Sequence, residues 1–197
     1  MDLRLAFDPS LLAFDEPTHR YTYDGKDLVS VTEALRRAGF VDSRWYTPEA
    51  RDRGRKVHAA CHYLDEGDLY WPDVDPRIEG YVRAHERFRS ESAFEVIAAE
   101  LRVAHPLYLF GGTLDLIGRL NGRLTLIDRK TGRPEPWAAL QTSGYSLTIK
   151  EPLIDRRTLW LQEDGRYLLS SAYRDAGDSR VFLSAVACAW WQRNNQR

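Results

Sequence analysis

"GTLDLIGRLNGRLTLIDRK", residues 112–130, reads as two apolar strands around an Asn-Gly turn. That dipeptide favours a two-residue turn with both residues left-handed. Such a turn pairs Leu120 with Arg123 and, counting outward, Asp115 with Asp128. Two carboxylates then oppose each other in an otherwise apolar segment, and opposed like charges destabilise a ladder. Side chains alternate along strands. One face is therefore expected to carry Thr113, Asp115 and Ile117 opposite Lys130, Asp128 and Leu126, and the other Leu114, Leu116 and Ile127. Both faces have apolar centres, which predicts a hairpin in the middle of a sheet. Opposed Cβ atoms lie roughly 4.5–5.5 Å apart, close enough to share a divalent cation, since hard cations take oxygen ligands. Lys130 can orient a water or stabilise an anionic transition state. The plain alternative is that both acids end their strands near solvent, with Lys130 as counter-ion.

Outward from the hairpin, "FEVIAAELRVAHP" alternates as a strand from Phe94 to about Val103. Upstream, "HRYTYDGKDLVSVTEALRRAGF" reads as a small hairpin turning at Asp24-Gly25, then a short helix. Ser30 is its N-cap and Glu33 completes a capping box. A longer helix follows Pro48 and stops near Gly67, "WPDVDP" is a loop, and "RIEGYVRAHERFRSES" is a further helix. After Pro134 and Pro136, "WAALQTSGYSLTIKE" has helical length and spacing, with proline at the tolerated start. A second hairpin turns at Asp164-Gly165, and Asp178 caps a terminal helix. The order predicts a mixed α/β or α+β domain, one central mixed sheet flanked by helices.

At 197 residues the expectation is a single domain, 1–197, with the hairpin and short helix of residues 1–45 appended to its core. Hydrophobic residues at 43% and charged residues at 29% support an ordinary core, and no apolar run nears the roughly 18 residues of a membrane span. The acidic start "MDLRLAFDPSLLAFDEP" does not read as an export signal, so a cytoplasmic, intracellular setting with Cys61 and Cys188 reduced is expected. A formal charge of −1 decides nothing about nucleic acid, because acidic site residues can mask a local basic surface.

The Asp115 and Asp128-Arg129-Lys130 arrangement, with "GTLD" before the first acid and "LIDRKTG" around the second, resembles the PD-(D/E)XK nuclease superfamily. Gln141 and Tyr145 resemble the Q-x-x-x-Y of its RecB-type and phage exonuclease branch. "RGRKVH" resembles that branch's glycine-then-histidine motif and places His58, Glu100 matches an acid common there, and "VSVTEAL" is similar to phage and mitochondrial members. Asp at 128 departs from the commoner Glu, and Arg129 fills the variable position. The resemblance implies a restriction-endonuclease-like core and a metal-dependent DNA nuclease. It points to an exonuclease acting on DNA ends or single strands in phage or bacterial recombination or repair. A structure-selective endonuclease and a degenerate nucleic-acid-binding module are the alternatives.

Hydrolysis of a phosphodiester needs an activated water and charge neutralisation on the phosphate. The expected ligands of one or two Mg²⁺ or Mn²⁺ ions are Asp115, Asp128, Glu100, the Arg129 backbone carbonyl and, by resemblance, His58. Lys130 would position the water, and Gln141 and Tyr145 would contact phosphate or the terminal nucleotide. "HAACH" supplies only two histidine nitrogens and no second pair, so zinc is not expected, and two cysteines cannot hold an iron–sulfur cluster. No Walker A motif occurs, so no helicase motor is expected. For DNA contacts the candidates are Ser30 and Thr32 at a helix start and Arg51, Arg53 and Arg55 leading to His58. Tyr145 is a further candidate. Tyr21, Tyr23, Trp45 and Tyr46 are candidates for base stacking, and Trp190 and Trp191 for packing or a protein interface. DNA is the expected partner, a recombination or replication protein a further candidate, no membrane is involved, and the oligomeric state is open.

Overall fold

The computed structural model describes residues 3–41 and 47–195. In chain order, β1 (Leu12–Asp15), β2 (Arg20–Tyr23) and β3 (Lys26–Asp27) form a small antiparallel sheet, with Asp24 and Gly25 left-handed in the turn foreseen there. β4 (Val29–Ser30) leads directly into α1 (Val31–Arg37). The Ser30 hydroxyl accepts the Glu33 amide at 3.1 Å, which is the expected cap. The reciprocal half of the box is replaced, because the Glu33 carboxylate binds Arg37 and Arg193. α2 (Pro48–Glu66) is capped by Thr47 and ends at left-handed Gly67. A 3-10 turn at Trp71–Asp73 occupies the expected loop, and α3 (Pro76–Ser92) follows.

The central sheet comes next: β5 (Glu95–His105), β6 (Phe110–Leu120) and β7 (Arg123–Lys130), then α4 (Trp137–Ser146), β8 (Asp155–Leu161), β9 (Tyr167–Leu169) and α5 (Gly177–Asn195). α4 stops five residues short of the expected stretch. At the start of α5 it is Asp175 that accepts the Gly177 amide, while Asp178 sits inside the first turn and pairs with Arg156. Strand order is β4-β6-β7-β8-β9 with β5 also on β6, and β4–β6 and β7–β8 are parallel. The fold is a mixed sheet with helices on both faces. α1, α4 and α5 bury one face over Leu114, Ile117 and Leu126. α2 and α3 bury the other over Leu116, Ile127, Leu159 and Leu161. Residues 3–41 are tied to this core through β4, which pairs Val29 with Phe110 and Ser30 with Gly111.

The Asn-Gly turn forms as its chemistry dictates, with Asn121 at φ 50° and Gly122 at φ 77°. The ladder runs from Leu120↔Arg123 to Leu116↔Ile127, the register read from the turn. It stops one pair before Asp115 and Asp128. β5 covers one side of β6 along its whole length, so β4 and β7 share the other. β4 takes Phe110–Gly111 and β7 takes Leu116–Leu120, which leaves 112–115 without a strand on that side. The sheet therefore carries an internal gap.

Alternation also breaks there. Leu114 lies in one core layer and Leu116 in the other, so these two do not share the face expected of them. Opposite the break, Glu100 is left-handed at φ 48°. Such a conformation costs about 1–3 kcal/mol for a residue with a Cβ and persists only where the surroundings impose it.

Candidate active site

Asp115 reaches into the gap, and its Oδ2 accepts the Arg129 backbone N–H at 2.6 Å. The carboxylate thus takes the place of a ladder acceptor and bridges the two parting strands. From α2, His58 Nδ1 lies 3.4 Å from Asp115 Oδ1 and 3.7 Å from Glu100 Oε1. Among the described residues, His58, Glu100 and Asp115 are the group whose ligand atoms all lie within 4.8 Å of one another. One nitrogen and two carboxylates fit a divalent cation. His58 and Glu100 keep 30% and 26% of their side chains exposed, so the group opens to solvent.

Asp128 stands outside that trio. Alternation along β7 turns Arg129 toward α2, and Asp128 and Lys130 toward α4. The Asp128 carboxylate is buried and pairs through Oδ2 with Lys130 Nζ at 2.8 Å. Lys130 also donates to Gln141 Oε1 at 2.8 Å and lies over the Trp137 ring. Gln141 Nε2 in turn donates to the Tyr145 hydroxyl at 3.4 Å. The i, i+4 spacing of Gln141 and Tyr145 stacks them on one face of α4, so this pair converges on the lysine of the β7 motif. Tyr145 is only 4% exposed. Its ring packs where a Cβ on Gly112 would come within 3.0 Å, so its place is behind Gln141 rather than at the surface.

Charge separates the two aspartates. Burial alone would raise the pKa of Asp115, but His58, Arg129 and Lys130 hold it well below the usual carboxylate range. Asp128 goes the other way: burial, with Asp115 beside it, raises its pKa in spite of Lys130. Burial also opposes a charge on His58, yet Asp115 and Glu100 outweigh it and lift its pKa to about 9. The imidazolium supplies positive charge where the carboxylates converge, and holding a cation there through Nδ1 requires it to give up that proton.

Arg129 has a role its variable position in the motif did not suggest. Its side chain is fully buried, and the guanidinium spans Glu100 Oε1 at 2.6 Å and Asp65 Oδ2 at 3.1 Å. Asp65 is bound in addition by His85 Nε2 at 2.9 Å and by Arg89. Sequence reasoning passed over Asp65, although it lies two turns from His58 on the same stripe of α2. An acid beside a C-capping glycine looks like a solvated helix end.

The candidate DNA contacts are scattered. Helical spacing puts Arg51 and Arg55 on the stripe of His58, whereas Arg53 lies off it and packs over Tyr81. Arg55 is exposed and pairs with Asp52. The Ser30 hydroxyl is used in capping, and Thr32 is exposed at the start of α1, next to the gap. Tyr21 is buried, its hydroxyl bonded to Thr113 Oγ1 at 2.8 Å, and is closed to a stacking base. The Tyr23 hydroxyl accepts the Asp8 amide. Trp45 and Tyr46 lie outside the described residues. Trp190 donates to the Leu109 carbonyl, and Trp191 is exposed. His62 turns to Glu66, and the two cysteines are free, Cys61 buried and Cys188 exposed. No helix among the described residues is long and apolar enough to cross a membrane.

Residues 30–159, from the cap of α1 through most of β8, match the PD-(D/E)XK nuclease superfamily. The chain belongs to that superfamily, whose members are nucleases that use divalent metals. Among solved structures, it is similar to an alkaline exonuclease (LHK-Exo) from Laribacter hongkongensis, at 16% identity over 85% of this chain and 92% of the other, with a TM-score of 0.44. The structure of LHK-Exo in complex with dAMP is similar at 17% identity over the same shares, with a TM-score of 0.34. No curated protein sequence matches the chain.

Proposed function

We propose that this nuclease is a Mg²⁺- or Mn²⁺-dependent deoxyribonuclease, and specifically an exonuclease that engages DNA ends or single strands. The observation carrying the proposal is the convergence on one gap of His58, Glu100 and Asp115 from one side, and of Asp128, Lys130 and Gln141 from the other. His58 and the Gln141–Tyr145 pair are the motifs that favour the exonuclease branch. A bound divalent ion would supply Lewis-acid chemistry, neutralising phosphate charge and lowering the pKa of water.

Asp115, Glu100 and His58 would hold the ion, with Asp128 and the Arg129 carbonyl as the proposed further oxygens. Asp115 is fixed by the Arg129 amide and Glu100 by the Arg129 guanidinium, so both acids are oriented before substrate arrives. Lys130, steadied by Gln141, would present its ammonium to the scissile phosphate and its attacking water. Its charge is the group best placed to meet the negative charge that develops in the transition state. Arg51 and Arg55, together with Thr32, would guide the strand backbone toward the gap.

End-labelled linear DNA and covalently closed circular DNA, each incubated with Mg²⁺ or Mn²⁺, test the reading. Progressive shortening of linear molecules with intact circles is expected. Cut circles would replace it with an endonuclease, and DNA binding without cleavage with a binding module.

A further inference from the structure

We infer that Asp65 and Arg129 form a buried positioning unit that holds Glu100 in its ion-binding place, so that the residue between Asp128 and Lys130 governs the affinity of the metal centre. The inference rests on the metal-centre reading above. It starts from Glu100, which keeps a left-handed backbone on a strand with no glycine to ease it. Its carboxylate takes the 2.6 Å hydrogen bond from Arg129 Nη2, and His58 Nδ1 stands further off at 3.7 Å. Arg129 is itself clamped from behind by Asp65. Asp65 in turn is gripped by His85, from the next helix, and by Arg89 one turn further along it. The planar guanidinium fork can bond two carboxylates at once, which a lysine ammonium on a flexible stem does not reproduce.

The arrangement also ties the ligands to one another. Asp65 and His58 share a stripe of α2, so the helix that delivers the histidine also anchors the arginine that aims Glu100. An ordinary fold-stabilising ion pair would need only one carboxylate. Here the second acceptor belongs to the ligand cluster, and the side chain joining the two is 0% exposed. Groups that orient metal ligands from behind typically contribute roughly ten- to hundredfold in metal affinity.

The test is calorimetric titration of the full chain with Mn²⁺, comparing wild type with the Asp65→Leu/Arg129→Met double variant. Removing both halves of the buried pair together leaves no uncompensated Arg129 charge. His85 and Arg89 lose their Asp65 contact, so the apo melting temperature is expected to fall with the fold retained. Mn²⁺ affinity should fall by roughly ten- to hundredfold, and cleavage should recover as Mn²⁺ is raised. In a Glu100→Gln background the same double change should leave affinity unaltered, because no carboxylate remains to be aimed. Unchanged affinity in the double variant, or an equal loss in the Glu100→Gln background, would overturn the inference. If the double variant does not fold, Arg129→Lys is read in the same titration, with the same expected loss and the same overturning result. A wild type that binds no Mn²⁺ would instead strike the metal-centre reading itself.

Discussion

Asp65, outside the motif, binds two arginines and a histidine behind the site. Its side chain is almost fully buried and neutralises Arg129 and Arg89 while accepting from His85. Burial works against that negative charge, but His85 and the two arginines hold the pKa of Asp65 below its ordinary value. Burial lowers the pKa of His85 from 6.5, more than Asp65 raises it. Both folded values are depressed, so both groups stabilise the fold fully at neutral pH. His85 begins to cost stability as pH falls below about 6.5, where the unfolded chain takes up a proton that the folded one resists. Asp65 loses its contribution further down, below about 3.9. Over the same fall in pH the raised pKa values of His58 and Asp128 add stability. The His85 effect is therefore read as a difference: between pH 7.5 and 5.5 in urea unfolding, wild type should lose stability relative to His85→Gln. An unchanged difference would place the acid sensitivity elsewhere. Asp65→Ala leaves Arg129 half compensated in the interior and should cost about 3 kcal/mol, a value at the lower end for breaking a buried pair.

Among the elements, the β6–β7 hairpin was legible because the chemistry of its turn is unambiguous. Asn121 and Gly122 fix the register, and the register places Leu116 opposite Ile127 as read. The gap was not legible. It depends on β4, a two-residue strand with no periodicity to detect, occupying the edge of β6 that β7 leaves. The break of alternation between Leu114 and Leu116 was hidden for a similar reason, since one left-handed residue on the neighbouring strand leaves no trace in a hydrophobic pattern. As a result the two aspartates, expected as a facing pair, are divided between Asp115 with His58 and Asp128 with Lys130. The α4–α5 contact depends on a missing side chain: a Cβ at Gly144 would lie 2.6 Å from the Phe182 ring. Gly144→Ala should therefore destabilise the protein by about 1–3 kcal/mol, the usual cost of overpacking. Chemical denaturation measures it, and a neutral result would mean that α5 shifts without cost.

At the scale of the whole molecule, two helical layers enclose a sheet that is closed except at one internal gap, and the charged groups that repel one another are gathered there. Helices from both faces send residues to it, α2 its histidine and α4 its glutamine. A cation bound only by the folded chain must raise its stability. At a concentration about 100-fold above its dissociation constant, Mn²⁺ should contribute ~2.7 kcal/mol. In a chain of this length that corresponds to a rise of about 5–10 °C in melting temperature. Asp115→Asn should abolish most of that rise, and a full rise in the variant would place the ion elsewhere. The measurement that reaches the central claim most directly is cleavage of end-labelled DNA by wild type and Asp115→Ala, with Mn²⁺ and with excess EDTA. The account predicts cleavage only by wild type and only with the metal. Full activity in EDTA, or in the variant, would contradict it.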